Sequence, residues 1–75
     1  MSVFDLSKGD SAIIKRCTVN GSASTRLQSL GITVGKKVTV LSFSLFKGSV
    51  LIGCGAVRLG IRASLAKLIE VEKCA

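Results

Sequence analysis

The chain has 75 residues, which is room for one compact domain and no second one. Hydrophobic residues make up 48% of it, and the formal net charge is +7, from 11 Lys and Arg against 4 Asp and Glu. The high apolar fraction argues against disorder, because disordered chains lack the apolar surface that offsets chain entropy. We therefore expect residues 1–75 to form a single folded domain.

The basic residues are spread along the chain and form no tail. Such a charge fits a nucleic acid, an anionic membrane surface or an acidic protein as partner, or it is simply solvated. We favour a solvated or acidic-protein interpretation over nucleic acid. The uncharged stretches 38–46 and 48–57 are far shorter than the roughly 20 residues of a membrane-spanning helix, and the first residues do not resemble a signal peptide. We therefore expect a cytoplasmic protein without membrane insertion.

The first half of the chain predicts a strand and a short helix. Leu6–Asp10 has the composition of a turn, and Ser11–Thr18 reads as a strand with Ala12 and Ile14 on one face. Asn20-Gly21 is typical of a turn that closes this strand.

A helical pattern follows over residues 22–30, where Ala23, Leu27 and Leu30 recur at the spacing of one helical face. Ser22 is a candidate for the residue that caps the first turn. Gly31 stands where a helix commonly ends in the left-handed conformation. The helix spans about two and a half turns, so tertiary packing must stabilise it.

The second half reads as β structure. A shift in apolar parity between Val40 and Leu41 predicts a bulge in the strand that begins at Lys37. Further strands are predicted at 50–52, 57–62 and 68–72, with turns at 47–49 and 53–55 and a helical turn at 63–67. The side chains expected to face inward in the last two strands are Val57, Leu59, Ile61, Ile69 and Val71. We predict a mainly β fold, a small closed or partly closed five-stranded barrel with one inserted short helix.

The residues for catalysis or metal binding are few. The chain has no histidine, and its four acids lie near the two ends of the sequence. Cys17, Cys54 and Cys74 are an odd number without C-x-x-C spacing, so we expect reduced thiols, with Cys54 exposed between two glycines. Three scattered cysteines do not supply a tetrahedral zinc site. We expect no enzyme activity, no cofactor and no metal site built by these side chains, and an adventitious metal or one that bridges a dimer is left open.

The chain has three aromatic residues, Phe4, Phe43 and Phe46, too few for the stacking platform of a typical single-strand or RNA binder. Phe43 and Phe46 are expected in the core or at its rim. An exposed Phe46 beside Leu45 and Lys47 would mark a contact patch.

Three segments together resemble the FeoA family, the small ferrous iron transport protein A. The turn Leu6–Asp10 is similar to the family's opening, and Arg26–Gly35 resembles its R-L-x-x-L-G-[LIM]-x-x-G signature. Arg58–Arg62, followed by Leu65, Leu68 and Ile69–Val71, resembles its ending. Segment 44–49 departs from the family, because it lacks the frequent turn with proline and acid.

The resemblance implies an SH3-like barrel with an inserted helix. It also implies an accessory role at a ferrous iron permease (a FeoB-like membrane GTPase), with the cytosolic GTP-binding part as the docking site. Similar domains in iron-dependent regulators serve as interaction modules.

The leading hypothesis is therefore a non-catalytic protein-binding module of bacterial ferrous iron uptake, cytoplasmic and held at the inner membrane through its partner. The expected partner surface combines Arg26 and Leu30 with Leu45, Phe46 and Lys47. The alternative is a basic small-barrel module that binds nucleic acid or belongs to an iron-dependent regulator. The sequence does not decide between a monomer and a homodimer.

Overall fold

The computed structural model describes residues 1–74, and within them the chain forms five strands, two α-helices and two 3-10 turns. The strands are β1 (Ser11–Cys17), β2 (Lys37–Phe43), β3 (Ser49–Cys54), β4 (Val57–Arg62) and β5 (Ile69–Lys73). The helices are α1 (Gly21–Ser29) and α2 (Ala63–Ala66), and the 3-10 turns are Val3–Asp5 and Leu45–Lys47. All strands pair antiparallel in one sheet of order β4-β3-β2-β1-β5, so β4 and β5 are its edges.

The core is aliphatic, and every strand contributes side chains from one face. Its buried members are Val3, Leu6, Ala12, Ile14, Val19, Leu27, Ile32, Val38, Val40, Val50, Ile52, Ile61, Ala66, Ile69 and Val71. The predicted inward faces of the first and last strands are confirmed by this set. Within residues 1–74 no polar or charged side chain is buried, and no helix is long and apolar enough to cross a membrane.

Helix α1 lies beside the coiled sheet and buries Leu27, while Ala23 and Leu30 pack against the core, as the spacing predicted. Its end is a Schellman motif: Gly31 N–H donates to the Gln28 carbonyl at 3.0 Å, and Ile32 N–H donates to the Leu27 carbonyl at 2.9 Å. Gly31 has a φ of +80°, so the predicted left-handed helix end is confirmed.

The predicted bulge lies at Leu41. Val40 pairs with Ile52 and Phe43 pairs with Val50, so between these two pairs β2 contains one residue more than β3. The extra residue places both Val40 and Phe43 on the core side of the strand. A second irregularity lies at Lys15 in β1, and the apolar pattern gave no sign of it.

The start of helix α1 differs from the prediction. Asn20 is the N-cap residue without a side-chain cap hydrogen bond, and Ser22 lies inside the first turn. Gly21, with a φ of +71°, is the first helical residue, so Asn20-Gly21 leads into the helix and forms no separate turn.

Strand ends were also predicted imperfectly. β2 ends at Phe43 because Ser44 closes the loop: its N–H donates to the Ser49 carbonyl at 2.9 Å, and its Oγ accepts the Ser49 N–H at 2.8 Å. The turn between β3 and β4 is Gly55-Ala56, since β3 continues through Cys54. Thr18 and Leu68 lie just outside β1 and β5, where the Thr18 N–H donates to the Leu68 carbonyl at 3.1 Å.

Candidate partner-binding surface

The most exposed apolar side chains lie in the 3-10 turn between β2 and β3, here called the Phe46 turn (Leu45–Lys47). Leu45 is 82% exposed and Phe46 is 93% exposed. Phe46 and Lys47 have φ values of +63° and +55°, a left-handed conformation that disfavours side chains other than glycine. Such strain persists only where surrounding contacts hold it, and it clusters at functional segments. The Phe46 turn thus presents two apolar side chains to solvent on a strained, left-handed backbone.

The base of this turn is held by aromatic and charged groups. The Phe43 ring meets the Phe4 ring edge to face, with centroids 6.1 Å apart. Lys47 Nζ lies 5.1 Å from the Phe43 centroid and Lys67 Nζ lies 5.2 Å from the Phe4 centroid, distances at which the ring attracts a cation. Phe43 therefore lies at the rim of the core, as predicted, whereas Phe46 projects away from it.

The structure does not bring the five predicted contact residues together. Leu30 lies near the Cys54 end of β3, and the Phe46 turn precedes the Ser49 end of the same strand. β3 has six residues, so the five steps between its ends, at about 3.3 Å each, separate them by roughly 16 Å. Arg26 lines a second groove on the other flank of the helix, against β4 and α2. The sequence prediction therefore names three separate parts of the surface: the Phe46 turn, the groove that Leu30 lines and the groove that Arg26 lines.

One groove, here called the basic groove, has a volume of about 760 Å³. Its walls combine cationic, apolar and glycine residues: Leu30, Gly31, Lys36, Lys37, Thr39, Leu41, Gly53, Cys54, Gly55 and Arg58. Sequence reasoning did not single out Lys36, Lys37 or Arg58, because they are separated along the chain and only the fold brings them to one groove. No acidic residue is among these lining residues.

The acids lie elsewhere in the fold. The segment 11–69 contains no Asp or Glu, and the four acids belong to the N-terminal turns and to β5. Two of them form ion pairs, Lys15 with Glu72 at 3.1 Å and Lys73 with Asp10 at 3.5 Å. These pairs are solvent-exposed and contribute little stability. The charge is therefore asymmetric: acids and bases are mixed along β1 and β5, whereas β2, β3, β4 and both helices contain no acid and every charged residue in them is basic.

Two carboxyl groups have a lowered pKa, and each accepts a hydrogen bond within an N-terminal turn. The Ser2 N–H and hydroxyl donate to Asp5, which lowers the pKa of that carboxyl. The Ser7 N–H donates to Asp10 at 2.9 Å and, with the nearby Lys73, lowers the pKa of Asp10. In both cases a hydrogen bond to the charged form favours ionisation. This pattern is typical of backbone capping.

The three cysteines are free thiols and lie apart. Cys54 is half-buried, not exposed as predicted, and its Sγ lies 3.9 Å from the Gly31 carbonyl oxygen at the end of α1. Among residues 1–74 no three His, Cys, Asp or Glu residues are grouped so that they could hold a metal ion.

A family model described as the FeoA domain matches residues 1–73 of the chain. The chain belongs to the FeoA family. The solution structure of FeoA from Chlorobium tepidum superimposes with a TM-score of 0.94 at 28% identity, covering 100% of this chain and 71% of that one. A crystal structure described as iron uptake regulatory protein (FeoA) gives a TM-score of 0.82 at 28% identity, over 99% of this chain and 96% of that one.

A third FeoA, from Stenotrophomonas maltophilia, was crystallised with zinc and is described as a prokaryotic SH3 domain protein. It has 25% identity and a TM-score of 0.77, over 96% of this chain and 89% of that one. The predicted SH3-like fold is thereby confirmed. A manganese-dependent transcriptional repressor shares the fold at 17% identity. No curated protein matches the sequence.

Proposed function

We propose that this FeoA protein is a non-catalytic binding module of ferrous iron uptake, which docks on the cytosolic GTP-binding part of a membrane permease for ferrous iron. Membership of the FeoA family, with solved members described as ferrous iron transport proteins, supports a role in that transport. Docking would hold the chain at the cytoplasmic side of the inner membrane through its partner.

The observation that carries the proposal is the Phe46 turn. A Phe that is 93% exposed beside a Leu that is 82% exposed leaves apolar area in water without any intramolecular gain. Burying such side chains in a partner would contribute on the order of 1.5–3 kcal/mol each. Because hydrogen bonds between Ser44 and Ser49 and from the Lys47 N–H to the Ser44 carbonyl close the base of the turn, less ordering entropy would be lost on binding than from an open loop. Leu30, at the Cys54 end of β3, and Arg26, in the groove beside β4 and α2, are two further and separate parts of the proposed contact.

The test is a pull-down from solubilised membranes with tagged protein, comparing wild type with Phe46→Asp. Val34→Asp is the matched control, because Val34 is also an exposed apolar side chain, at 61%, and lies outside the Phe46 turn. We expect the permease to be recovered with wild type and with Val34→Asp, and lost with Phe46→Asp. Equal recovery with all three proteins would place the contact away from this turn, and recovery with none would refute the docking proposal.

The acid-free segment 11–69 supports one other candidate, binding to nucleic acid. That candidate requires steeply salt-dependent affinity, because released counterions dominate such binding. We expect no mobility shift of duplex DNA or single-stranded RNA at low salt with micromolar protein. A shift that disappears as salt is raised would favour nucleic acid over the permease.

A further inference from the structure

The basic groove combines an uncompensated charge with an open apolar floor. Lys36 and Lys37 precede and begin β2, and Arg58 faces outward from β4, so cations stand on two sides of the groove. No acid lies in the lining, and the ion pairs of the described residues are formed by Lys15 and Lys73 on the β1–β5 side. The groove is therefore electrostatically complementary to a negatively charged ligand.

A glycine keeps the floor of this groove open. Gly53 lies on the outward face of β3, opposite Thr39 of β2, and a Cβ built on it would lie 3.4 Å from Leu41 Cδ1. A larger side chain at this position would therefore press against Leu41 and narrow the groove. Leu30 and Leu41 line the groove beside this glycine. Together they give the floor an apolar surface that an apolar side chain of a ligand can contact.

From this arrangement we infer that the basic groove binds an extended acidic peptide segment of a protein partner, with carboxylates at the cations and an apolar side chain over Gly53. The inference rests on the proposed function of a protein-binding module, and it names the chemistry of one segment that the module recognises. An apolar floor between cationic walls favours a peptide over nucleic acid. Single strands are bound by stacking on aromatic side chains, and the phosphates of a duplex would contact the cations and leave the apolar floor unused. The groove's lining residues include no aromatic side chain.

The experiment measures fluorescence anisotropy of a short labelled peptide in which glutamates alternate with leucines. Two comparison peptides replace every leucine by serine, or every glutamate by lysine. We expect binding of the Glu-Leu peptide, at least about tenfold weaker binding of the Glu-Ser peptide and none of the Lys-Leu peptide. Equal binding of the Glu-Ser and Glu-Leu peptides would show that the floor is not used and would overturn the inference.

Charge variants separate the groove from the overall charge of the chain. Lys37→Glu combined with Arg58→Glu is expected to weaken binding of the Glu-Leu peptide by about tenfold or more. Lys8→Glu combined with Arg16→Glu changes the net charge equally, at exposed positions outside the groove, and is expected to weaken it less than about threefold by screened long-range attraction. Equal weakening by both pairs would overturn the inference.

A steric variant tests the groove without any change in charge. Gly53→Val is expected to weaken binding of the Glu-Leu peptide about tenfold, because the added side chain narrows the floor of the groove. Valine is favoured in strands, so the variant is expected to fold. Gly60→Val is the control, since Gly60 lies on β4 with open space above it and outside the basic groove. Circular dichroism and thermal melts establish that both variants are folded. Wild-type peptide affinity in a folded Gly53→Val protein would refute the proposed site.

Two further readouts distinguish the groove from the other proposals. Unlabelled DNA oligonucleotide and unlabelled Glu-Leu peptide are compared as competitors of the labelled peptide. Displacement by the DNA at a lower concentration than by the unlabelled peptide would reassign the groove to nucleic acid. Phe46→Asp is expected to bind the peptide as wild type does, because the Phe46 turn lies at the other end of β3. The peptide assay contains no permease, so its failure leaves the pull-down result standing, and the reverse also holds.

Discussion

Gly31 ends helix α1 with a φ of +80° and donates one of the two hydrogen bonds of the Schellman motif. Any side chain at this position would hold a left-handed conformation at a cost of about 1 kcal/mol. We therefore expect Gly31→Ala to lower the free energy of unfolding by about 1 kcal/mol, measured by urea denaturation. Gly60→Ala is the control, because its backbone lacks the positive φ and the space around it is open. An equal loss in both variants would contradict this conformational explanation.

Single residues also mark the limit of what the sequence predicts. Gly31 was predictable because its position after a helical pattern leaves few alternatives. The exposure of Phe46 was not, because Phe43 and Phe46 are chemically identical and only the closure of the loop by Ser44 separates their environments. The strand pattern thus predicted an apolar segment but not its last inward residue.

The two N-terminal turns depend on ionised carboxylates. Asp5 accepts the Ser2 N–H and Asp10 accepts the Ser7 N–H, and both carboxyls have a pKa below the ordinary value of 3.8. A carboxyl group whose pKa is lower in the folded state stabilises the fold at pH values above its unfolded-state pKa. This contribution is lost as the pH falls through the folded-state pKa. We therefore expect the urea midpoint of wild type to fall as the pH is lowered from about 5 to about 2.

The Asp5→Asn and Asp10→Asn double variant tests this linkage. It is expected to be less stable than wild type near neutral pH, because an amide oxygen accepts the turn hydrogen bonds less strongly than a carboxylate. Its midpoint is also expected to depend less on pH over the acidic range. Parallel pH profiles for the variant and wild type would show that these turns do not carry the acid sensitivity.

The bulge in β2 shows how an element's irregularity can be visible in sequence. Val40 and Phe43 both face the core although they are three residues apart, whereas side chains on one face of a regular strand are an even number of residues apart. This break in alternation can be recognised in the sequence. The irregularity in β1 at Lys15 is not legible, because Ile13 and Ile14 supply apolar groups to both faces. A bulge is predictable only where one face is apolar and the other polar.

At the scale of the whole molecule, the charge asymmetry destabilises the fold at low salt. Seven Lys and Arg side chains lie within residues 19–69, a span without acids, so their mutual repulsion has no local compensation: Arg26, Lys36, Lys37, Lys47, Arg58, Arg62 and Lys67. Salt screens such repulsion, as the Debye length falls from about 30 Å at about 0.01 M to about 3 Å at about 1 M. We expect the melting temperature to rise with sodium chloride over this range.

The Lys37→Glu and Arg58→Glu double variant supplies the comparison for the salt response. It places acids among the cations of the basic groove, so part of the repulsion becomes attraction that salt weakens. Its melting temperature is expected to rise less with salt than that of wild type. A rise of the same size would attribute the effect to general salting-out of apolar surface, not to the charge asymmetry.

The sequence by itself determined the FeoA resemblance, the mainly β fold, the helix over the middle of the chain and the inward faces of its strands. These features are local, since apolar periodicity and glycine conformation act within a few residues. Only the tertiary structure decided that Lys36, Lys37 and Arg58 line one groove, that Gly53 forms its floor, and that the Phe46 turn lies at the other end of β3. Such juxtapositions depend on strand pairing and coiling between distant segments, which no local pattern encodes.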